Sequence, residues 1–469
     1  MAHIRVFNHY VQSPFVLLAA LEFFLLAACC YVSIVLWGWG NRPSFLPIDY
    51  IILRYSLVYA LIMLLSTLSL GVYGAAVVER FAGMAVRSVV SYCLLGCTSM
   101  VVLFYLVPEF DVGRRPLFAS VILSLAVILP FRKLFYAAVG ADNLKRRVMV
   151  LGAGAKALAV KEAASTPGLG FDVIGFIPSD HKPPEIEQDL LLDAMGGVQR
   201  LVNKHKVDEI VIAVDERRRD AGGYFPIEEL LECKMKGVKI TEAVKFYERE
   251  LGRIELEEIH PGWMVFGDGF QYSQLRDVVK RGFDIAVCLV LLLLAWPLML
   301  FAVVAILLET GRPVIYKQVR VGLNGKPFNI YKFRSMSQDA EKDGKAQWAK
   351  ANDSRVTRVG AFIRNTRIDE LPQILNVLKG DMSFVGPRPE RPEFVKDLNQ
   401  QLPYYESRHR VKPGLMGWAQ LKFSYGASVE DAGNKLVYDL YYVKNYSLLL
   451  DILIVVQSVE IILLGKGVR

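Results

Sequence analysis

Cysteine is scarce in this 469-residue chain and follows no pattern. The six cysteines, Cys29, Cys30, Cys93, Cys97, Cys233 and Cys288, have no spacing that suits a metal site or a disulfide framework, and five of them lie in apolar runs. That excludes a disulfide-stapled domain and fits small buried hydrophobes in a reducing compartment. No aromatic-basic RNA-binding motif and no basic arm accompany the formal net charge of +8. Lipid headgroups and nucleotide phosphates are therefore the expected partners, and nucleic acid is not. No cleavable signal peptide is expected, because the first apolar segment is too long and lacks an A-x-A-like site. A Tyr-x-x-x-Lys pair, which a short-chain reductase or epimerase would use for proton transfer, occurs nowhere in the chain.

Apolar residues are abundant, at 53%, and they concentrate near the N-terminus. The length predicts more than one domain, and the pattern predicts a membrane part joined to soluble parts. Apolar runs at 15–37, 50–73, 86–107 and 116–131 predict a four-helix transmembrane bundle within 1–135. An even number of spans puts both ends on one side. Arg5, Arg80, Arg87, Arg132, Lys133 and the basic cluster at 145–147 then face the cytoplasm, with Arg42, Arg114 and Arg115 outside. Glu22 is the one acidic residue inside the first run, and an anchor without chemistry is the expectation.

A strand at 147–151 is followed by a turn with Gly152, Gly154 and Ala157, then by a helical stretch. This is the glycine-rich strand-to-helix turn of a Rossmann-like α/β domain, expected over 146–262. Gly152 and Gly154 are its nucleotide-binding candidates. A structural or regulatory domain and a ligand-sensing nucleotide site both fit, and redox catalysis lacks its proton-transfer pair.

The apolar run 283–308 is long enough to span a bilayer, but Pro297 near its middle removes a helix hydrogen bond. The helix either crosses or kinks and returns on the same side. From 313 the chain turns polar and basic, with strands expected at 314–319 and 328–336 around a turn at 322–325. A charged, solvated helix is expected at 340–351, and an interfacial helix at 448–464.

Two adjacent carboxylates, Asp369 and Glu370, lie between arginine-bearing segments. Leu371, Ile374, Leu375 and Leu378 recur at helical spacing with Gly380 to end the helix, so Asp369 falls at the N-cap. That end favours carboxylates and an incoming phosphate. A carboxylate is a competent nucleophile toward phosphorus once cations neutralise the phosphate charge. Arg364, Arg367 and Arg388 are the nearby phosphate partners, with Lys332 and Arg334 upstream. Mg²⁺ suits a carboxylate pair, so Asp369 and Glu370 are also the metal-ligand candidates.

The segments YKFRSM (331–336), DELPQ (369–373), NVLKGDMS (376–383), VGPRP (385–389) and KPGLMGWAQ (412–420) resemble the bacterial sugar transferase family, the monotopic polyprenyl-phosphate phosphoglycosyl transferases. The whole chain looks like the large exopolysaccharide-initiating subgroup. The resemblance implies a transferase domain over 276–469 with a re-entrant helix at 283–308 kinked at Pro297, where Trp296 replaces the family's serine. Met416 stands where the family commonly has threonine. It implies transfer of hexose-1-phosphate from a UDP-sugar to undecaprenyl phosphate with release of UMP. Asp369 would be the covalent nucleophile, and Glu370 would assist with metal or proton handling. Glucose is the first expectation for the sugar. A galactose transferase for capsule or O-antigen is the second, and a sugar-nucleotide-binding membrane scaffold is the reading from a different class. Membrane lipids, a homodimer and downstream glycosyltransferases are the implied partners. The implied location is the bacterial inner membrane, multi-pass, with the catalytic domain on the cytoplasmic face.

Overall fold

The computed structural model describes residues 3–6, 9–37, 48–70, 72, 81–110, 113–139, 145–165, 170–179, 183–193, 197–215, 225–256, 273–337, 355–423 and 428–464. The chain divides into two compact units, Tyr10–Leu251 with Met1–Arg5, and Gly252–Arg469 with Val6–His9.

After two short paired strands at the N-terminus, His3–Val6 and His9–Gln12, come the apolar helices of the first unit. They are α1 (Ser13–Leu36), α2 (Ile48–Ser69), α3 (Phe81–Val90), α4 (Cys97–Leu106) and α5 (Arg114–Val139). A π-helical segment, Ser91–Gly96, joins α3 to α4, so that Gly83–Leu106 forms one apolar span. Four spans in this region are long and apolar enough to cross a membrane. In such helices every backbone group is satisfied within its own segment.

One expectation for this region is corrected. Arg132 does not lie on an aqueous flank, because α5 continues to Val139 and carries it into the helix packing. Its side chain is 0% exposed, as is that of Glu22. Arg132 Nη2 donates to Glu22 Oε2 at 2.6 Å, and Nη1 donates to Ser88 Oγ at 2.6 Å. A charge carried this far from water needs a partner, and the bidentate fork of Arg132 finds one 110 residues away in sequence.

The rest of the unit is a parallel sheet with strands β1 (Arg146–Leu151), β2 (Phe171–Ile177), β3 (Glu209–Ile212) and β4 (Lys239–Glu242), ordered β2-β1-β3-β4. Side chains alternate between its faces. Val148, Val150, Val211 and Ala213 pack with α6 (Ala155–Ala164) and α9 (Ala243–Leu251). Met149, Leu151, Ile210 and Ile212 pack with α7 (Val198–His205) and α8 (Ile227–Met235). Covering both faces goes with continuously apolar runs in the two central strands, 148–151 in β1 and 210–212 in β3.

Residues from Gly252 onward group with the second unit, where Ile254 N donates to Val437 O. That unit opens with α10 (Gln274–Thr310), a 37-residue helix with Pro297 inside it. An antiparallel hairpin follows, β5 (Ile315–Val321) and β6 (Pro327–Phe333). Next come α11 (Arg358–Asn365), a 3-10 turn (Ile368–Gln373), α12 (Ile374–Lys379), β7 (Ser383–Val385), α13 (Pro392–Gln401) and β8 (Gly414–Met416), which pairs in parallel with β7. The chain ends in α14 (Trp418–Lys422), α15 (Val429–Asn445) and α16 (Leu448–Leu464). The helix expected at 340–351 lies outside the described residues. The core gathers Val377, Met382, Phe384, Tyr441, Leu450 and Ile454.

Both flanks of α10 dock on this unit. Near its start, Lys280 Nζ donates to Asp451 Oδ2 at 2.6 Å and to Val385 O at 3.1 Å. Asp284 Oδ1 accepts from Ser383 Oγ and Phe384 N, each at 3.0 Å. Near its end, Ala302 and Ile306 pack with Phe333, Ile363 and Ile368. The middle of the helix, including Leu293, Leu294, Trp296, Leu298, Leu300 and Phe301, is exposed.

Candidate active site

The dyad lies where α11 turns back into the body of the second unit. Thr357 caps α11, its hydroxyl accepting from Gly360 N at 2.9 Å. Glu309, at the end of α10, supplies a second cap, accepting from Arg358 N at 2.9 Å and Val359 N at 3.1 Å. Both carboxylate oxygens thus meet the positive end of α11. The chain then reverses at Arg367, which takes a left-handed conformation at φ 58°. A non-glycine residue held there stores backbone strain of about 1 kcal/mol or more, a feature that clusters at functional sites.

This geometry corrects the N-cap expectation. Arg367 is the cap, and Asp369 and Glu370 sit inside the first turn of the 3-10 segment, which leads directly into α12. Ile368 anchors that turn among apolar side chains, and Gly380 at φ 93° ends α12. The carboxylates still face a helical start, with Asp369 at its second residue instead of at the cap.

The two carboxylates are both 9% exposed, yet they differ in company. Glu370 Oε1 accepts from Arg388 Nη2 at 2.8 Å and from Lys332 Nζ at 2.9 Å, with Arg367 Nη1 at 4.0 Å. Burial alone would raise the Glu370 carboxyl, but Arg388, Lys332 and Arg367 outweigh it and hold it well below the usual carboxylate range. Among the described residues, no hydrogen bond or ion pair engages the Asp369 carboxylate. Burial first, and the neighbouring Glu370 charge second, push Asp369 up to about 6. Burial also lowers the Lys332 ammonium, with Glu370 opposing. One carboxylate is therefore locked as an anion, and the other is unengaged with its pKa close to neutrality. That is the division of labour expected of a pair in which one member reacts.

The phosphate-binding candidates do not all meet here. Lys332 and Arg388 contact Glu370, and Arg367 borders it. Arg364 is half-buried in the last turn of α11 and makes no bond to the dyad among the described residues. Arg334 is drawn elsewhere, since its Nη2 donates to Thr310 O at 3.0 Å, Thr310 Oγ1 at 2.7 Å and Gly311 O at 2.6 Å. It closes the C-terminal end of α10, where orphan carbonyls and the helix dipole attract a cation. Pro297 lies in the exposed middle of α10, away from the dyad.

Gly152 and Gly154 stand apart in the first unit. A Cβ on Gly152 would meet Ala213 O at 2.1 Å, and one on Gly154 would meet Asp215 Oδ2 at 1.9 Å. Asp215 Oδ1 also accepts from Lys156 N, at 3.2 Å, at the start of α6. The helix start that would face a ligand phosphate in a dinucleotide site here faces the chain's own carboxylate. The glycines are required by close approach within the protein. Sequence reading missed Asp215 because it follows β3, 61 residues beyond the turn, and nothing local marks it as a partner. It also did not foresee the buried partners of Arg408 and Lys280, Asp439 and Asp451, which lie further along the chain.

A family model described as "Bacterial sugar transferase" matches residues 275–465. The chain is 41% identical over 273 residues to a UDP-N-acetylgalactosamine-undecaprenyl-phosphate N-acetylgalactosaminephosphotransferase of Aeromonas hydrophila, covering 58% of this chain and 63% of that protein. It is 33% identical over 320 residues to a UDP-glucose:undecaprenyl-phosphate glucose-1-phosphate transferase of Escherichia coli (strain K12), covering 67% of each. It is 31% identical over 342 residues to an undecaprenyl-phosphate galactose phosphotransferase of Salmonella typhimurium, covering 69% of each. The chain thus spans just under two thirds of the Aeromonas protein's length.

Proposed function

Because the chain belongs to the bacterial sugar transferase family, we propose that it moves hexose-1-phosphate from a UDP-sugar to undecaprenyl phosphate, with release of UMP, as the first membrane step of an exopolysaccharide pathway. The observation that carries this reading is the unequal dyad, Glu370 gripped by Arg388 and Lys332 beside an unengaged Asp369. In the first half-reaction an Asp369 carboxylate oxygen attacks the sugar-bearing phosphorus of the donor. The bond from that phosphorus to the bridging oxygen breaks, and UMP leaves with the electron pair. In the second half-reaction a phosphate oxygen of the lipid attacks the same phosphorus, and the Asp369 carboxylate departs. Lys332, Arg367 and Arg388 border the dyad and can neutralise the phosphate charge as the nucleophile approaches.

Mg²⁺ fits this donor set. Glu370 binds its cations through Oε1, and the Asp369 carboxylate is unengaged, so one oxygen of Glu370 and both of Asp369 remain for a metal. A magnesium site needs only one or two carboxylates together with substrate phosphates. Bound there, the ion would add to the charge neutralisation at the transferring phosphoryl group.

The test is UMP release by the full-length chain with undecaprenyl phosphate and a panel of UDP-glucose, UDP-galactose and UDP-N-acetylgalactosamine. One donor should release UMP in a lipid-dependent way. The rate should fall as pH drops through about 6, where Asp369 gains a proton, and Mg²⁺ should move that limb to lower pH. A chain that releases no UMP from any donor is not this enzyme, and the scaffold reading would stand instead.

We also propose that α10 is re-entrant, so that the parallel sheet that follows the four apolar spans and the domain that carries the dyad both face the cytoplasm. A straight helix of 37 residues would be about 55 Å long, more than a bilayer core requires. Its two flanks nevertheless dock on the same unit, while its apolar middle is bare. Single substitutions Ser165→Cys and Asn324→Cys, in a Cys93→Ser background, report the topology. An impermeant thiol reagent should label both in inverted vesicles and neither in spheroplasts. Labelling of the two from opposite sides would establish a spanning helix.

A further inference from the structure

The loop that carries Arg388 is tied down at nearly every carbonyl. Val385 O accepts from Lys280 Nζ at 3.1 Å, and Pro387 O accepts from Gly414 N at 2.9 Å. Pro389 O accepts from Arg320 Nη1 at 3.1 Å, and Glu390 O accepts from Val321 N at 2.9 Å. The peptide of Arg388 itself is held by one side chain. Arg408 Nη2 donates to Arg388 O at 2.9 Å and to Asp439 Oδ2 at 2.8 Å, while Arg408 Nη1 donates to Tyr405 OH at 2.6 Å. Arg408, Tyr405 and Asp439 are 5%, 3% and 2% exposed.

We infer that Arg408, its charge balanced by Asp439, is a positioning residue that sets the guanidinium of Arg388 on Glu370. The inference rests on the transfer reading above. Its first support is energetic. A buried ion pair adds little stability over apolar side chains of the same volume, so stability alone does not account for Arg408 at this point in the core. Its second support is geometric. Pro387 and Pro389 fix φ on either side of Arg388, which leaves the torsions of Arg388 itself to set the direction of its side chain and of its carbonyl. Arg408 holds the oxygen of that carbonyl. A planar fork can serve the carbonyl, Asp439 and Tyr405 together, which a compact ammonium cannot.

The test is a double-mutant cycle on the full-length chain, read by UMP release with the preferred donor of the panel and undecaprenyl phosphate. Arg408→Lys is made alone and in an Arg388→Lys background, and kcat is compared. Because Arg408 acts through Arg388, its substitution should lower kcat by about a hundredfold in the wild-type background, as misplacement by about 1 Å does. In the Arg388→Lys background the same change should cost less than about twofold. A residue that only supports the fold lowers the rate by the same factor in both backgrounds, and that result overturns the inference, as does an unchanged kcat for Arg408→Lys alone. Asp439→Asn keeps the shape and an acceptor, and it runs the same cycle with the same criteria if Arg408→Lys does not fold. A wild-type chain that releases no UMP sinks the transfer reading. A wild-type chain that does so with an additive cycle sinks only the role of Arg408.

Discussion

Asp369→Asn should leave a folded, more heat-resistant and inactive protein. The amide keeps the size of the carboxylate but has no charge with which to attack phosphorus. Loss of the nucleophile of a covalent route lowers kcat by about 10⁴-fold or more. The same substitution should stabilise the second unit, and the sign follows from the pKa. Burial and Glu370 raise the Asp369 carboxyl from its ordinary value to about 6, so the folded state disfavours its ionised form. That penalty is absent below the unfolded pKa, grows as pH rises through about 6, and reaches up to about 3 kcal/mol above it. Asn removes the penalty. In EDTA at pH 8 the variant should melt higher than wild type, and the gap should close as the pH approaches 4. With donor alone, wild type should also acquire the mass of a sugar phosphate on the Asp369 peptide, and the variant should not. Normal turnover by Asp369→Asn would end the covalent mechanism, and an unaltered melting curve at pH 8 would mean that the dyad is not strained as described.

Lys280→Met should be the most damaging substitution away from the dyad. Lys280 Nζ reaches Asp451 Oδ2 at 2.6 Å, Val385 O at 3.1 Å and Tyr442 OH at 3.3 Å, and Asp451 is 0% exposed. This single ammonium joins α10 to β7, α15 and α16. Met fills the space but leaves Asp451, among the described residues, with Tyr442 OH alone, which donates to Oδ1 at 2.7 Å. An uncompensated buried charge destabilises by about 3–5 kcal/mol. Denaturant unfolding of the detergent-solubilised chain should show that loss. The double variant Lys280→Met/Asp451→Leu should recover most of it, because it removes both charges rather than one. A loss below about 1 kcal/mol for the single change would show that Asp451 has another route to neutrality. Asp284 should not follow Lys280 in this, because its carboxylate is independently satisfied by Ser383 Oγ and Phe384 N.

The features legible in the amino-acid order are those with a local cause. A run of about 20 apolar residues has to span or enter a bilayer wherever it is placed, and the first four runs are the helices observed. Alternating apolar strands and helical stretches between 146 and 251 have one economical arrangement, a parallel sheet covered on both faces. The dyad was legible because Asp369 and Glu370 are neighbours, with basic segments on either side. What only the tertiary structure decided is which charge answers which. Arg334 carries the same formal charge as Arg388, yet one closes the end of α10 and the other grips Glu370. Arg132 reads as a flanking cation until Glu22 is brought to it from another helix. The turn with Gly152 and Gly154 fits a structural role or a nucleotide site by its sequence, and only the fold brings Asp215 to it. The physical reason is the same in each case. A residue's type and its local periodicity are short-range properties, whereas a buried charge is governed by the partner that offsets its desolvation. That partner can lie anywhere along the chain, so the amino-acid order displays the charges but only the packed fold assigns the pairs.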